Sequence, residues 1–258
     1  LFGFRSAIAK VGGIGAEAGL TKIEIVVRFE ARSLSLTRVL EAEVMDDASE
    51  AISYDAMDFA MVDQDFVDRV VAVHPDAVKV LDLGTGTARI PIRLCQQRSQ
   101  YQVLGIDLAE SMLEIGELNI QRAKMAQRIR LAKADSKRTP YPNWEFDLVI
   151  SNSLVHHLPD PAGFFREISR LVTPTGGIVV RDLFRPDSEA ELEAIMALHG
   201  EGLNDRQAKL FRDSLHAAFT LAEVTELAKS AGLVENVRIY PSSDRHWTLE
   251  KHPTPYAV

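Results

Sequence analysis

The chain has 258 residues and is 46% hydrophobic, enough to bury one sizeable core as a single α/β domain with additions. Its formal charge of −8 sets it against nucleic-acid partners, whose phosphates demand a basic face, and no apolar run approaches the roughly eighteen residues of a membrane span. The single cysteine, Cys95, excludes an internal disulfide; Lys10 and Glu17 interrupt any secretory apolar stretch, so a cytoplasmic setting is expected.

Residues 1–40 stand apart as an accessory extension: residues 1–38 carry six Lys/Arg against three Glu, and five of the fifteen glycines fall before residue 20. Within them Ile23, Ile25, Val27 and Phe29 alternate with charged neighbours. That is the period of a half-buried strand, suited to a sheet edge or to pairing across the two-fold axis of a homodimer. The plainer reading is an extension with no part in chemistry.

Residues 41–258 are expected to form the main domain. Ala56, Phe59, Ala60, Asp63, Phe66, Val67, Val70 and Val71 recur mostly at helical spacing until His74-Pro75 stops them. Strict alternation follows, with strands predicted at 78–83, 102–107, 129–133, 146–151 and 177–183 and helices at 87–98, 110–126 and 162–172. This pattern predicts a doubly wound, mostly parallel sheet with helices on both faces. Residues 186–219 read as a polar helical lid. Thr220 with Glu223 forms a capping box for a helix ending at Ala231-Gly232, and strand-like runs follow at 233–240 and 246–250.

Chemistry concentrates at the strand ends. Residues 80–92 read V-L-D-L-G-T-G-T-A-R-I-P-I, a strand entering a turn with Asp82, Gly84, Thr85 and Gly86 ahead of a helix. Two glycines let the backbone approach a ligand, and the helix start presents unpaired N–H groups. Asp107 closes V-L-G-I-D about twenty residues on, where a carboxylate accepts ribose hydroxyls. A dinucleotide-binding protein offers the same pair, but its third fingerprint glycine is Arg89 here. Ala-Asp at 134 and 135 and the block F-D-L-V-I-S-N-S-L-V-H-H-L-P-D-P from residue 146 complete the set.

Over residues 76–183 these motifs resemble the class I S-adenosylmethionine-dependent methyltransferases, and the last block looks like small-molecule enzymes of the ubiquinone-biosynthesis type. The resemblance implies a Rossmann-like sheet of seven strands with the last inserted antiparallel, and S-adenosylmethionine as cofactor with S-adenosylhomocysteine as product. It implies Asp107 on the ribose, Leu108 and Ala134 against the adenine, and Asp135 on the adenine amino group with Ser136 beside it. Ser151 and Asn152 would lie beside the sulfonium and Tyr54 over the donor. The chain departs from the family's G-x-G-x-G at Ala88, and the alternative for Asp135 is a turn residue after a strand.

Methyl transfer from a sulfonium is an in-line displacement that mainly requires positioning; a base matters only for a protonated acceptor. His156 and His157 follow the fourth strand and are the candidate bases, or else are structural rings bonded to backbone. No metal is expected, because adjacent residues do not share a face and no ligand-spaced cluster lies nearby. A small anionic acceptor is expected at Arg181, Arg185, Arg212, His216, Arg245 and His246, with Asp182 and Ser214 among them. The competing fate of each arginine is a surface ion pair. Two other functions are carried: a catalytically silent S-adenosylmethionine-binding module acting as a structural or regulatory subunit, and a nicotinamide-dependent oxidoreductase.

Overall fold

In the computed structural model the described residues are 36–41, 46–57 and 59–254. The chain divides into residues 1–33, outside that set along with the strand expected at 22–30, and a unit of residues 34–258. The boundary drawn at residue 40 therefore falls inside the larger unit.

That unit is a seven-stranded sheet: β1 (Lys79–Leu83), β2 (Gln102–Asp107), β3 (Ile129–Lys133), β4 (Phe146–Asn152), β5 (Val172–Leu183), β6 (Val237–Pro241) and β7 (His246–Lys251). Their order is β3-β2-β1-β4-β5-β7-β6. The first five pair in parallel, with Val80 opposite both Val103 and Leu148, while β7 runs antiparallel to β5 and β6. Strand order reverses between β1 and β4, the place where open sheets of this kind bind ligands at their carboxyl ends.

The helices are α1 (Ala48–Asp55), α2 (Ala60–Val73), α3 (Arg89–Gln97), α4 (Glu110–Arg122), α5 (Ala162–Leu171), α6 (Glu189–His199), α7 (Asp205–Ala217) and α8 (Leu221–Ser230). Successive strand residues feed opposite faces, so Leu81, Leu83 and Val149 join Phe164, Phe165 and Trp247 in one apolar cluster. Val80, Leu148 and Ile150 join Phe66, Val67 and Leu94 in the other. Cys95 is buried in that second layer, and burial pushes its thiol up to about 11.

Three boundaries differ from the sequence expectation by more than two residues. β5 begins at Val172 rather than 177, because Phe146 pairs with Val172 and Leu148 with Gly177, a register shift that carries the strand through Thr173-Pro174-Thr175-Gly176. The helix after β2 stops at Arg122, and Lys124 follows with φ 58°. Residues 233–236 are turn, ending at Asn236 with φ 57°, so β6 starts only at Val237.

The expected lid is α6 and α7, packed through Leu192, Ile195, Leu215 and Ala218 against Leu183. Both capping boxes are complete: Thr220 with Glu223 at α8, as expected, and Asn204 with Gln207 at α7. Residues 36–41 cross the lid's base. The Arg38 guanidinium lies 3.7 Å from the Phe219 ring centroid and donates to the carbonyls of Ala217, His156, Leu158 and Pro159.

Candidate active site

The turn after β1 is shaped by positive backbone angles: φ is 74° at Gly84, 52° at Gly86 and 63° at Ala88. A Cβ at Gly84 would stand 2.9 Å from the Leu154 side chain, so only glycine leaves this cradle open. Ala88 adopts the left-handed conformation that the family's third glycine would take, at a cost of about 1–2 kcal/mol for an L-residue. The Gly84 and Thr85 N–H groups donate to the Ile106 carbonyl at 2.9 Å, tying the turn to the end of β2.

Asp107 accepts from the Gly86 N–H at 2.9 Å through one carboxylate oxygen and from the Ala109 N–H at 3.0 Å through the other. Burial nonetheless holds its carboxyl above the ordinary range, with those backbone N–H groups acting against the rise. Asp82 is 2% exposed and accepts from the Thr85 hydroxyl at 2.7 Å. Burial pushes its carboxyl up to about 7, with Thr85 opposing and Asp107 adding to the rise.

A pocket opens between this turn and α1–α2, lined by Tyr54, Asp63, Asp82, Gly84, Gly86, Arg89 and Asn152 among others. Arg89, noticed in the sequence only as a break in a fingerprint, has its guanidinium 4.4 Å from the Phe59 ring centroid and 5.0 Å from that of Tyr54. Its Nε lies 3.3 Å from Asp63 Oδ2. A guanidinium, two buried carboxyls and open glycine backbone make a donor set that fits an amino-acid head joined to a nucleoside.

The other residues expected at the cofactor already have partners within the chain. Ser151 is fully buried and donates to the Leu83 carbonyl at 2.8 Å, which pins β4 to β1. Asp135 accepts from the Lys137 N–H at 2.8 Å and pairs with the Lys137 ammonium at 3.3 Å, the turn role that it has on its own merits. Ser136 is buried, while Leu108 and Ala134 are half-buried, and the Ala134 N–H donates to the Asp107 carbonyl at 3.0 Å.

The arginines expected around the acceptor are mostly committed elsewhere. Arg181, 2% exposed, donates to Asn152 and Asp65 at 2.9 Å and to the Val62 carbonyl at 2.8 Å. Burial pushes it down to about 10. Arg185 donates to Glu223 at 2.8 Å and to the Ala218 carbonyl at 3.0 Å, and Arg212 forms a fork on Glu193. The His216 carbonyl accepts from the Val39 N–H. His246 is buried with Nδ1 2.8 Å from the Ser243 hydroxyl, and burial, then neighbouring Arg181 and Arg245, push it down to about 3. The Arg245 guanidinium stands 5.7 Å from the Phe211 ring centroid, and its Nη1, like Arg185 Nε, is buried with no hydrogen-bond partner among the described residues.

Beyond β4 the chain makes a 3₁₀ turn, Val155–His157. His156 is 4% exposed, with Nδ1 2.5 Å from Asp182 Oδ1 and Nε2 3.4 Å from Glu41 Oε1. Asp182 also accepts from the Val155 and Leu183 N–H groups at 2.5 and 2.7 Å. Burial opposes charge on both partners, and their mutual attraction outweighs it, holding Asp182 below and His156 above their ordinary values. His157 Nδ1 lies 3.0 Å from the same Glu41 oxygen. The expectation of no ligand-spaced cluster is thereby corrected: Glu41, His156 and His157 bring three ligand atoms within 4.8 Å of one another. The tight turn aims both adjacent rings at one carboxylate, and Glu41 stands too far upstream for any spacing pattern to include it.

The parallel topology, the reversal beside β1 and the glycine turn facing Asp107 define a nucleotide-binding protein of the Rossmann-like class. Residues 74–232 match the family described as a methyltransferase domain. The chain belongs to the class I S-adenosylmethionine-dependent methyltransferases, and S-adenosylmethionine is its cofactor. It is similar to a malonyl-[acyl-carrier protein] O-methyltransferase of Halorhodospira halophila, 33% identical over 161 residues, 60% of this chain and 52% of that one. It is similar also to a 27-O-demethylrifamycin SV methyltransferase of Amycolatopsis mediterranei, 30% identical over 45% of this chain and 42% of that one. The chain spans about half the length of these curated relatives. Its fold is shared with the crystal structure of a SAM-dependent methyltransferase from Aquifex aeolicus, TM-score 0.59 and 17% identity, covering 79% of this chain and 97% of that one. Among the described residues no helix is long and apolar enough to cross a membrane.

Proposed function

We propose that the protein transfers a methyl group from S-adenosylmethionine to a small-molecule acceptor by in-line displacement. The observation that carries this reading is the pairing of Asp107 with the Gly86 N–H at the reversal of strand order, beside a pocket walled by Tyr54, Asp82, Arg89 and Asn152. The cofactor supplies an activated methyl group on a sulfonium, so the chain's task is to hold, orient and exclude water. Asp107 serves the ribose. Arg89 and Asp82 are suited to the carboxylate and ammonium of the amino-acid head, and Tyr54 to covering the donor.

The acceptor lies in this reading between the carboxyl ends of β4 and β5 and the lid of α6–α7. The malonyl-[acyl-carrier protein] relative bears the name of an O-methyltransferase, which favours an oxygen acceptor. An anionic group on the acceptor fits Arg245, whose buried Nη1 has no hydrogen-bond partner among the described residues. Proton removal from a hydroxyl is assigned to the corner of Glu41, His156 and His157, at the head of β4 and next to the lid.

Calorimetric titration with S-adenosylhomocysteine, and with NAD in parallel, tests the cofactor half. The first is expected to bind and the second not, and Asp107→Ala is expected to weaken S-adenosylhomocysteine about tenfold or more, from the ~1.5–3 kcal/mol of hydrogen bonds to a charged group. Undiminished binding in the folded variant overturns the site. Transfer of a tritiated methyl group to hydroxylated carboxylic acids, against neutral counterparts, tests the acceptor half. Arg245→Gln should raise KM for the acids and leave KM for S-adenosylmethionine unchanged.

A further inference from the structure

The corner beyond β4 has the composition and spacing of a metal centre. Glu41 Oε1 lies 3.4 Å from His156 Nε2 and 3.0 Å from His157 Nδ1. Metal–ligand bonds of about 2.0–2.2 Å, at angles between square and tetrahedral, set neighbouring ligand atoms about 2.9–3.5 Å apart. Both contacts fall in that range. The His157 Nδ1 atom is buried and, close as it is to Glu41, makes no aligned hydrogen bond among the described residues. A nitrogen and an oxygen this close face one another across a shared proton or a shared ion.

The surroundings complete the pattern. Asp182 accepts a hydrogen bond from the Nδ1–H of His156, which fixes the ring and turns the Nε2 lone pair toward Glu41, the carboxylate–histidine arrangement found behind metal-ligating imidazoles. Ser214 donates its hydroxyl to Glu41 at 3.2 Å, holding the carboxylate in place. The nearby Arg38 charge is spread over four carbonyl oxygens.

We propose that Glu41, His156 and His157 bind one divalent first-row transition ion, Zn²⁺ or a close relative. Two imidazoles and one carboxylate suit a borderline-soft ion better than Mg²⁺ or Ca²⁺, which take oxygen ligands. Three protein ligands leave a coordination position for water or a substrate oxygen, as at catalytic centres. With an acceptor hydroxyl there, the ion would lower its pKa, its proton would pass to solvent, and the oxygen–methyl bond would form as the sulfonium–methyl bond breaks to release S-adenosylhomocysteine. That last step alone rests on the methyl-transfer reading; ion binding does not.

The full chain, stripped with chelator, is titrated with ZnCl₂ and separately with MgCl₂, followed by calorimetry and thermal unfolding. One tight Zn²⁺ equivalent and a raised Tm are expected, with Mg²⁺ silent. Glu41→Gln and His157→Gln should each weaken Zn²⁺ by at least tenfold while S-adenosylhomocysteine still binds, and Asp182→Asn by about 10–100-fold. Absence of a tight equivalent, or equal Zn²⁺ binding in wild type and both ligand variants, overturns the proposal. Should the variants fail to fold, Co²⁺ added to the wild type decides: intense visible bands of a low-coordinate ion support the site, and the weak spectrum of hydrated Co²⁺ refutes it.

Discussion

Asp82 makes the cofactor pocket sensitive to pH. Its folded pKa of about 7 stands above the ordinary 3.8, so the folded state holds a proton that the unfolded chain releases. The stability linked to this group is fully present below 3.8 and is lost as pH rises through about 7. Asp82→Asn should therefore flatten the dependence of Tm on pH across that interval. A cofactor ammonium favours the ionised carboxyl, so S-adenosylhomocysteine should bind more tightly above pH 7 than at pH 6, with proton release on binding. Calorimetry in buffers of different ionisation enthalpy measures that release, and proton uptake would contradict the assignment of Asp82. At this scale the sequence made Gly84, Gly86 and Asp107 legible, because their spacing follows from one strand, one turn and the next strand. It left Glu41 and Asp63 obscure, along with the partners of Arg181, since each contact joins segments that only the finished fold brings together. The ion pair between Arg181 and Asp65 spans 116 positions.

β2 passes close under the turn that follows β1. A Cβ at Gly105 would stand 2.5 Å from the Thr85 hydroxyl oxygen and 2.9 Å from Leu131, and the short threonine side chain has little room to yield. Gly105→Ala should cost about 1–3 kcal/mol, as overpacked sites do, and weaken S-adenosylhomocysteine because the shift passes into the turn. Denaturant unfolding and calorimetry on one preparation measure both effects. Thr220→Ala, which removes the cap of α8, should cost about 1 kcal/mol and leave cofactor binding alone. The elements themselves were largely readable from periodicity, and the capping box marked the start of α8. The early part of β5 was not, because Thr-Pro-Thr-Gly carries turn residues and only pairing with β4 across a register shift holds it extended.

At the scale of the whole molecule the two tryptophans report on opposite environments. Trp247 is fully buried in the larger apolar layer, whereas Trp144 is 61% exposed with φ 59°. Iodide should quench strongly in Trp247→Phe, which leaves Trp144, and weakly in Trp144→Phe; similar quenching in both would mean that the β5–β7 layer is open. The insertion of β7 between β5 and β6 also bears on how the protein is made. Translation delivers the five parallel strands and their glycine turn first, then β6 with no neighbour to join. Until residue 251 has left the ribosome, one long side of β5 is an unpaired template, and a stalled or truncated chain would offer it to another unfinished copy. Aggregation of nascent chains, more than unfolding of finished ones, is the hazard that this topology carries.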